Sequence, residues 1–229
     1  MLLRSLAGAG LAIHALPALA PLAPPVARGL AIETRVDDGA GVVLTFDDGP
    51  HREGTAAILS FLAAADAPAT FFLAGEQVER YPTLAAEIVA AGHEVALHCY
   101  RHRNQLRLTP GQIVEDMCRG EATIVDACGR APRLYRPPYG IFSAAGLMLA
   151  WRRSWRLLLW SRWGRDWRAH ATPESIARRV TQGIQPGDVI LLHDSDHYSS
   201  EGSWRKTLAA LPCILDRLAR RGQSPAAIP

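Results

Sequence analysis

The chain has 229 residues, 48% of them hydrophobic and 21% charged, with a net charge of +3. That length suits one domain with a sizeable core, and the balance is that of an ordinary globular protein. All 25 basic residues except Lys206 are arginine, but they are interleaved with acids along the chain, which argues against a nucleic-acid-binding stripe.

Residues 1–40 read as an N-terminal leader or extension. Ser5 to Ala20 is small and apolar after Arg4, and Ala18-Leu19-Ala20 suits a signal-peptidase site, although His14 and Pro17 interrupt the run. The stretch is short and proline-broken for a membrane span. An extracytoplasmic or membrane-associated location is expected, with association through the N-terminus; an extension packed on a cytoplasmic domain is the alternative. Pro21, Pro24 and Pro25 separate this segment from the body, taken as residues 41–225.

In the body, short apolar β-prone runs alternate with amphipathic stretches. Strands are predicted over 42–46, 70–73, 94–98, 134–136, 156–160 and 189–193. Helices are predicted over 54–65, 82–91, 110–127, 143–150, 173–183 and 203–221. Thr109-Pro110 and Thr172-Pro173 read as N-caps followed by proline in the first helical position. Gly92 and Gly183 stand where a helix end needs a positive φ. Alternating strands and helices imply an α/β fold of parallel strands with right-handed crossovers. Chemistry in such folds collects at the C-terminal strand ends, where Asp47, His98, Arg136 and His193 all fall.

Thr45-Phe46-Asp47-Asp48-Gly49-Pro50 follows the apolar run Val42-Val43-Leu44. Two adjacent carboxylates ending a buried strand are costly unless a cation or protons offset their charge, although Asp-Gly and Gly-Pro are also turn dipeptides. His98-Cys99-Tyr100-Arg101-His102 follows Val95-Ala96-Leu97 and offers two imidazoles four residues apart. One Asp and two His make a facial ligand set that leaves positions open for water and substrate. The other Asp is then free to act as general base.

In Arg136-Pro137-Pro138-Tyr139-Gly140 the prolines fix an extended segment, and the first free amide, that of Tyr139, could donate to an oxyanion. The plainer reading is a rigid loop with a solvated arginine. Five of the six tryptophans (Trp151, Trp155, Trp160, Trp163 and Trp167) lie in one stretch, as core packing or as sugar platforms. Trp151 to Arg156 reads as a solvated helix end, and His93 as a turn or helix-end residue. Val189 to His193 is a buried strand ending in histidine. Asp194, Asp196 and His197 follow it as a polar loop, with a second metal cluster as the less favoured reading. Cys99, Cys118, Cys128 and Cys213 show no metal or disulfide spacing.

In this order, TFDDGP at 45–50, HxxxH at 98–102, RPPYG at 136–140, DW at 166–167 and the strand ending in His193 resemble the polysaccharide deacetylases with a NodB-homology domain, carbohydrate esterase family 4. The resemblance spans about residues 41–220. It implies a distorted, incomplete (β/α) barrel and hydrolytic removal of N-acetyl groups from amino sugars of a polysaccharide or oligosaccharide. It implies one divalent metal, zinc foremost with cobalt or nickel as substitutes, on Asp48, His98 and His102. Asp47 would be the general base and His193 the general acid, with Arg136 orienting the base and Asp166 tuning the acid. Tyr139, Leu191 and Trp167 would contact substrate, Leu191 lining a pocket for the acetyl methyl. The expected partner is an N-acetylated carbohydrate; the oligomeric state is left open.

Two residues depart from the family pattern. Trp163 stands where an aspartate is common, which bears on the substrate-groove wall. Cys99 replaces a serine or threonine beside a metal ligand, which is expected either to alter the loop's hydrogen bonding or to leave a thiol open to oxidation. The competing readings are a deacetylase of an acetyl ester or small acetylated metabolite, and a non-catalytic carbohydrate-binding protein. The second is disfavoured because Asp47, Asp48, His98, His102 and His193 are all present.

Overall fold

A computed structural model describes residues 14–36 and 41–228. Its eight strands are β1 (Ile32–Glu33), β2 (Val43–Asp47), β3 (Thr70–Leu73), β4 (Glu94–Leu97), β5 (Leu134–Tyr135), β6 (Arg156–Leu158), β7 (Arg162–Trp163) and β8 (Val189–His193). They form one sheet in the order β1-β6-β5-β4-β3-β2-β8-β7, every adjacent pair parallel. The sheet curls but leaves β1 and β7 as free edges, giving a distorted, incomplete (β/α) barrel.

Side-chain alternation decides what reaches the barrel interior. Successive strand residues point to opposite faces. Val43, Phe72, Ala96, Leu134, Leu158 and Val189 form one cluster, the inner lining. Their strand neighbours Leu44, Phe46, Phe71, Val95, Leu97, Tyr135, Leu157, Ile190 and Leu192 belong to the larger core between sheet and helices. Counting on by two carries Asp47, His98, Arg136 and His193 onto the inner face at the C-terminal strand ends. Asp47 and His193 are register partners across β2 and β8.

The helix boundaries follow local chemistry. Thr109 caps Pro110–Cys128 and Thr172 caps Pro173–Thr181, each through a reciprocal capping box with proline in the first turn. Gly92 and Gly183 take φ of 83° and 64°.

Residues 24–36, read from sequence as part of the extension, join the fold. Pro24–Gly29 is helical, β1 pairs with β6, and Arg35 holds the buried Asp188 at 2.6 Å. Of the leader or extension expected over residues 1–40, residues 1–13 and 37–40 lie outside the described residues. Among the described residues no helix is long and apolar enough to cross a membrane.

Candidate active site

Consecutive strand residues cannot share a face, yet Asp47 and Asp48 both line the same cavity. The backbone resolves this at Asp48, whose φ of 80° turns the chain as it leaves β2. Cys99, directly after His98, and Tyr139 also take positive φ, 68° and 61°. Such conformations cost about 1–3 kcal/mol each for residues with a Cβ and collect at functional sites.

His98 Nδ1 lies 2.7 Å from the Arg136 carbonyl oxygen and so carries the ring proton. Its Nε2 lone pair then faces Asp48 Oδ1 at 3.5 Å, and His102 Nε2 faces the same oxygen at 3.3 Å. That oxygen is buried and accepts no hydrogen bond. An anionic oxygen meeting imidazole lone pairs is a cation's donor set, and Asp48, His98 and His102 fit a divalent metal. The protonation states agree. Burial pushes the Asp48 carboxyl up, but the facing His98, His102 and His193 rings outweigh it and hold the group well below the usual carboxylate range. Burial, opposed by Asp48, brings His102 down to about 4, so this ring is neutral and able to ligate.

Two polar systems flank this donor set. On one side Asp47 Oδ1 accepts from Arg136 Nη1 at 2.6 Å. Arg136 is fully buried, against the plainer reading of a solvated loop arginine. Its guanidinium also donates to Thr45 Oγ1 and to the Leu158 and Leu159 carbonyls, and it stacks 3.9 Å from the Phe72 ring centroid. Removing one partner of such a pair strands a buried charge at a cost of about 3–5 kcal/mol.

On the other side His193 Nδ1 meets Asp166 Oδ1 at 2.8 Å, and its Nε2 lies 3.9 Å from Asp48 Oδ2. Asp166 is fully buried, and its Oδ2 accepts from the His193 amide and from Thr207 Oγ1, each at 2.7 Å. Burial alone would lower His193, but the charge and hydrogen bond of Asp166, with Asp48 and Asp47 behind, raise it to about 10. At neutral pH this histidine is an imidazolium beside a neutral His102.

The cavity, about 300 Å³, brings together Asp47, Asp48, His98, His102, Tyr139, Trp167, Leu191 and His193, with Arg136 and Asp166 buried behind it. Its walls add Trp160, Trp163, Tyr198 and Ser199, of which sequence reasoning had singled out only the tryptophans. Trp163, 38% exposed on the edge strand β7, stacks on Trp167 at 4.8 Å between ring centroids. Trp155 packs in the core instead, and Trp151 is exposed at a helix end. Thr207 also escaped notice, since nothing in its spacing ties it to Asp166.

Of the two expectations for Cys99, the structure corrects the one of oxidation. Its thiol is buried against Tyr135 and Gln105, and burial pushes it up to about 12, so it is protonated and shielded rather than open to oxidation. The segment after His193 is a polar latch. His51, Asp196 and His197 place donor atoms within 4.8 Å of one another. However, His51 Nδ1 accepts from the Gly54 amide at 2.9 Å, which leaves its proton on Nε2, facing Asp196 Oδ1 at 3.3 Å. Asp196 Oδ2 in turn accepts from the Gly202 amide. The two side chains thus tie together the starts of helices Gly54–Ala64 and Ser203–Ala219.

Residues 35–150 match the polysaccharide deacetylase family. A chitooligosaccharide deacetylase of Bradyrhizobium sp. (strain ANU 289) is 36% identical over 188 residues, covering 79% of this chain and 85% of that protein. The crystal structure of the Bc1960 peptidoglycan N-acetylglucosamine deacetylase superposes with a TM-score of 0.81 at 29% identity, over 88% of this chain and 92% of the other. A family 4 carbohydrate esterase from Streptomyces lividans, in complex with acetate, gives a TM-score of 0.74 at 32% identity, over 83% and 93%. With the motifs, the incomplete barrel and the Asp-His-His donor set in agreement, the chain belongs to the polysaccharide deacetylase family.

Proposed function

We propose that the protein is a metal-dependent hydrolase that removes N-acetyl groups from amino sugars of a polysaccharide or oligosaccharide. One observation carries this reading. A three-residue cation donor set lies in one cavity between an arginine-held carboxylate and a carboxylate-held imidazolium. Asp48, His98 and His102 hold the cation, zinc in our reading. Bound there, it supplies Lewis acidity, making water more acidic and polarising a carbonyl.

The chain's own groups account for the proton traffic of amide hydrolysis. Asp47, fixed by Arg136, takes the proton of the attacking water as the new C–O bond forms. Pro137 and Pro138 have no N–H, so the Tyr139 amide is the first donor of that turn available to the developing oxyanion. His193 gives its Nε2 proton to the departing nitrogen as the C–N bond breaks, while Asp166 holds Nδ1. Leu191, buried in the cavity wall, receives the acetyl methyl. Trp163 and Trp167 present apolar faces to the C–H surfaces of a sugar.

The presence of both flanking groups argues against a binding protein without catalysis, since neither buried pair is needed to hold a sugar. The test is a comparison of matched N-acetyl and O-acetyl glucosamine oligomers. Acetate released faster from the amide supports the assignment. Release from the ester alone would replace it with an esterase.

A further inference from the structure

The two imidazoles of the donor set are held by different means. His98 has the usual support, an Nδ1 hydrogen bond to a backbone carbonyl. His102 has none, for its Nδ1 is buried without a partner. Its ring is instead packed between aromatic faces. Tyr198 stacks on it at 4.4 Å between centroids with planes 13° apart, and Tyr139 meets it edge-on at 4.5 Å. Tyr139 is 58% exposed on its turn and gives a soft support.

Tyr198 is anchored. Its hydroxyl donates to Glu76 and accepts from Gln77 Nε2 at 2.9 Å, two side chains of the helix Gly75–Arg80. The first amides of that helix donate to the Cys99 and Tyr100 carbonyls, each at 2.9 Å, within the segment that joins His98 to His102. The loop bearing Tyr198 is pinned on either side, by Thr55 on Asp194 and by the Gly202 amide on Asp196. Tyr198 and His102 are thus referred to one rigid frame.

We infer that Tyr198 is the positioning residue for His102, setting the imidazole plane by stacking where no hydrogen bond does so, and thereby setting the metal affinity of the site. This rests on the reading of Asp48, His98 and His102 as metal ligands. A flat ring locked at its hydroxyl restricts both tilt and rotation of the imidazole. An aliphatic residue of similar bulk would fill the space without fixing the plane.

The experiment titrates metal-stripped wild type, Y198F and Y198L with cobalt(II), following its visible absorption and competing with a chromophoric chelator; thermal unfolding of each stripped protein controls for folding. Loss of a supporting partner of a ligating histidine costs about 10–100-fold in metal affinity, the loss expected for Y198L, with a changed cobalt spectrum. Y198F, which keeps the stack and loses the anchor, should fall between Y198L and wild type. Wild-type affinity and spectrum in Y198L, with only KM for substrate raised, would overturn the inference and leave Tyr198 a cavity wall. A wild type that binds no cobalt would overturn the metal-site reading, and this inference with it.

Discussion

Replacing Asp166 by asparagine removes one charge from behind His193 while keeping the shape of the side chain. Two donors, the His193 amide and Thr207 Oγ1, converge on Asp166 Oδ2 at 2.7 Å each. The asparagine carbonyl therefore belongs at that position, which turns its NH2 toward His193 Nδ1. An imidazolium that met an anion then meets a donor. Burial already disfavours the charged ring, and Asp166 is the largest influence opposing it in the rise from 6.5 to about 10. At about pH 8, a histidine titrating near 10 is ~99% protonated, while one returned to about 6.5 is only ~3% protonated. The enzyme fraction able to protonate the leaving nitrogen falls roughly 30-fold, and further if burial acts unopposed. A cation on Asp48 takes back the part of the rise due to that carboxylate, so the loaded enzyme's alkaline limb lies below 10, but the Asp166 contribution remains. The assay is kcat/KM for acetate release against pH, wild type beside D166N. The expected result is an alkaline limb displaced to near or below neutrality in the variant. Thermal unfolding gives an independent readout. Because the folded value is raised, the stabilisation is full below about 6.5 and disappears as pH rises through about 10, so D166N should lose stability at neutral pH and little above that window. Superimposable pH profiles for the two proteins would refute the reasoning.

Asp47→Asn should lower turnover by about 10²–10⁴-fold, the usual worth of a positioned base, with metal stoichiometry by elemental analysis unchanged. Chelation should lower the unfolding temperature, because a cation held only by the folded donor set stabilises the folded state. Zinc restored at about 100 times its Kd contributes ~2.7 kcal/mol, roughly 5–10 °C for a chain of this size by calorimetry. Gly49→Ala places a Cβ in overlap with the Asp194 carboxylate, which Thr55 already holds. Urea unfolding should show a loss of about 1–3 kcal/mol.

Much of the barrel was legible because four of its strands, β2, β3, β4 and β8, are largely apolar runs of four or five residues closed by turn chemistry. The runs at 70–73 and 189–193 coincide with β3 and β8, and the others differ at their ends by one or two residues. β1 and β7 were missed because Ile32-Glu33 and Arg162-Trp163 each set one apolar residue beside a charged one and form no apolar run, and each exists only by pairing with a neighbour, β6 and β8. The six-residue helix Gly75–Arg80 was missed for a related reason, being too short to show a face. For the candidate site, the residues that end long strands could be placed in advance, since alternation fixes which ones face inward. Asp48 could be found only as the neighbour of Asp47, because its aim depends on a positive φ. Tyr198 and Thr207 carried no signal: one arrives on a loop latched through Asp196 and His51, the other on the helix Ser203–Ala219 packed behind Asp166. The fate of Cys99 was hidden for a similar reason, as its burial is created by Tyr135 and Gln105, distant in sequence or turned inward by their own elements.

The most direct single test is acetate release from N-acetylglucosamine oligomers by metal-stripped protein as zinc is titrated back. The expected result is no release from the stripped protein and a rise that saturates at one zinc per chain. Full release by protein shown to be free of metal, or none from protein shown to hold one zinc on Asp48, His98 and His102, would contradict the proposed reaction.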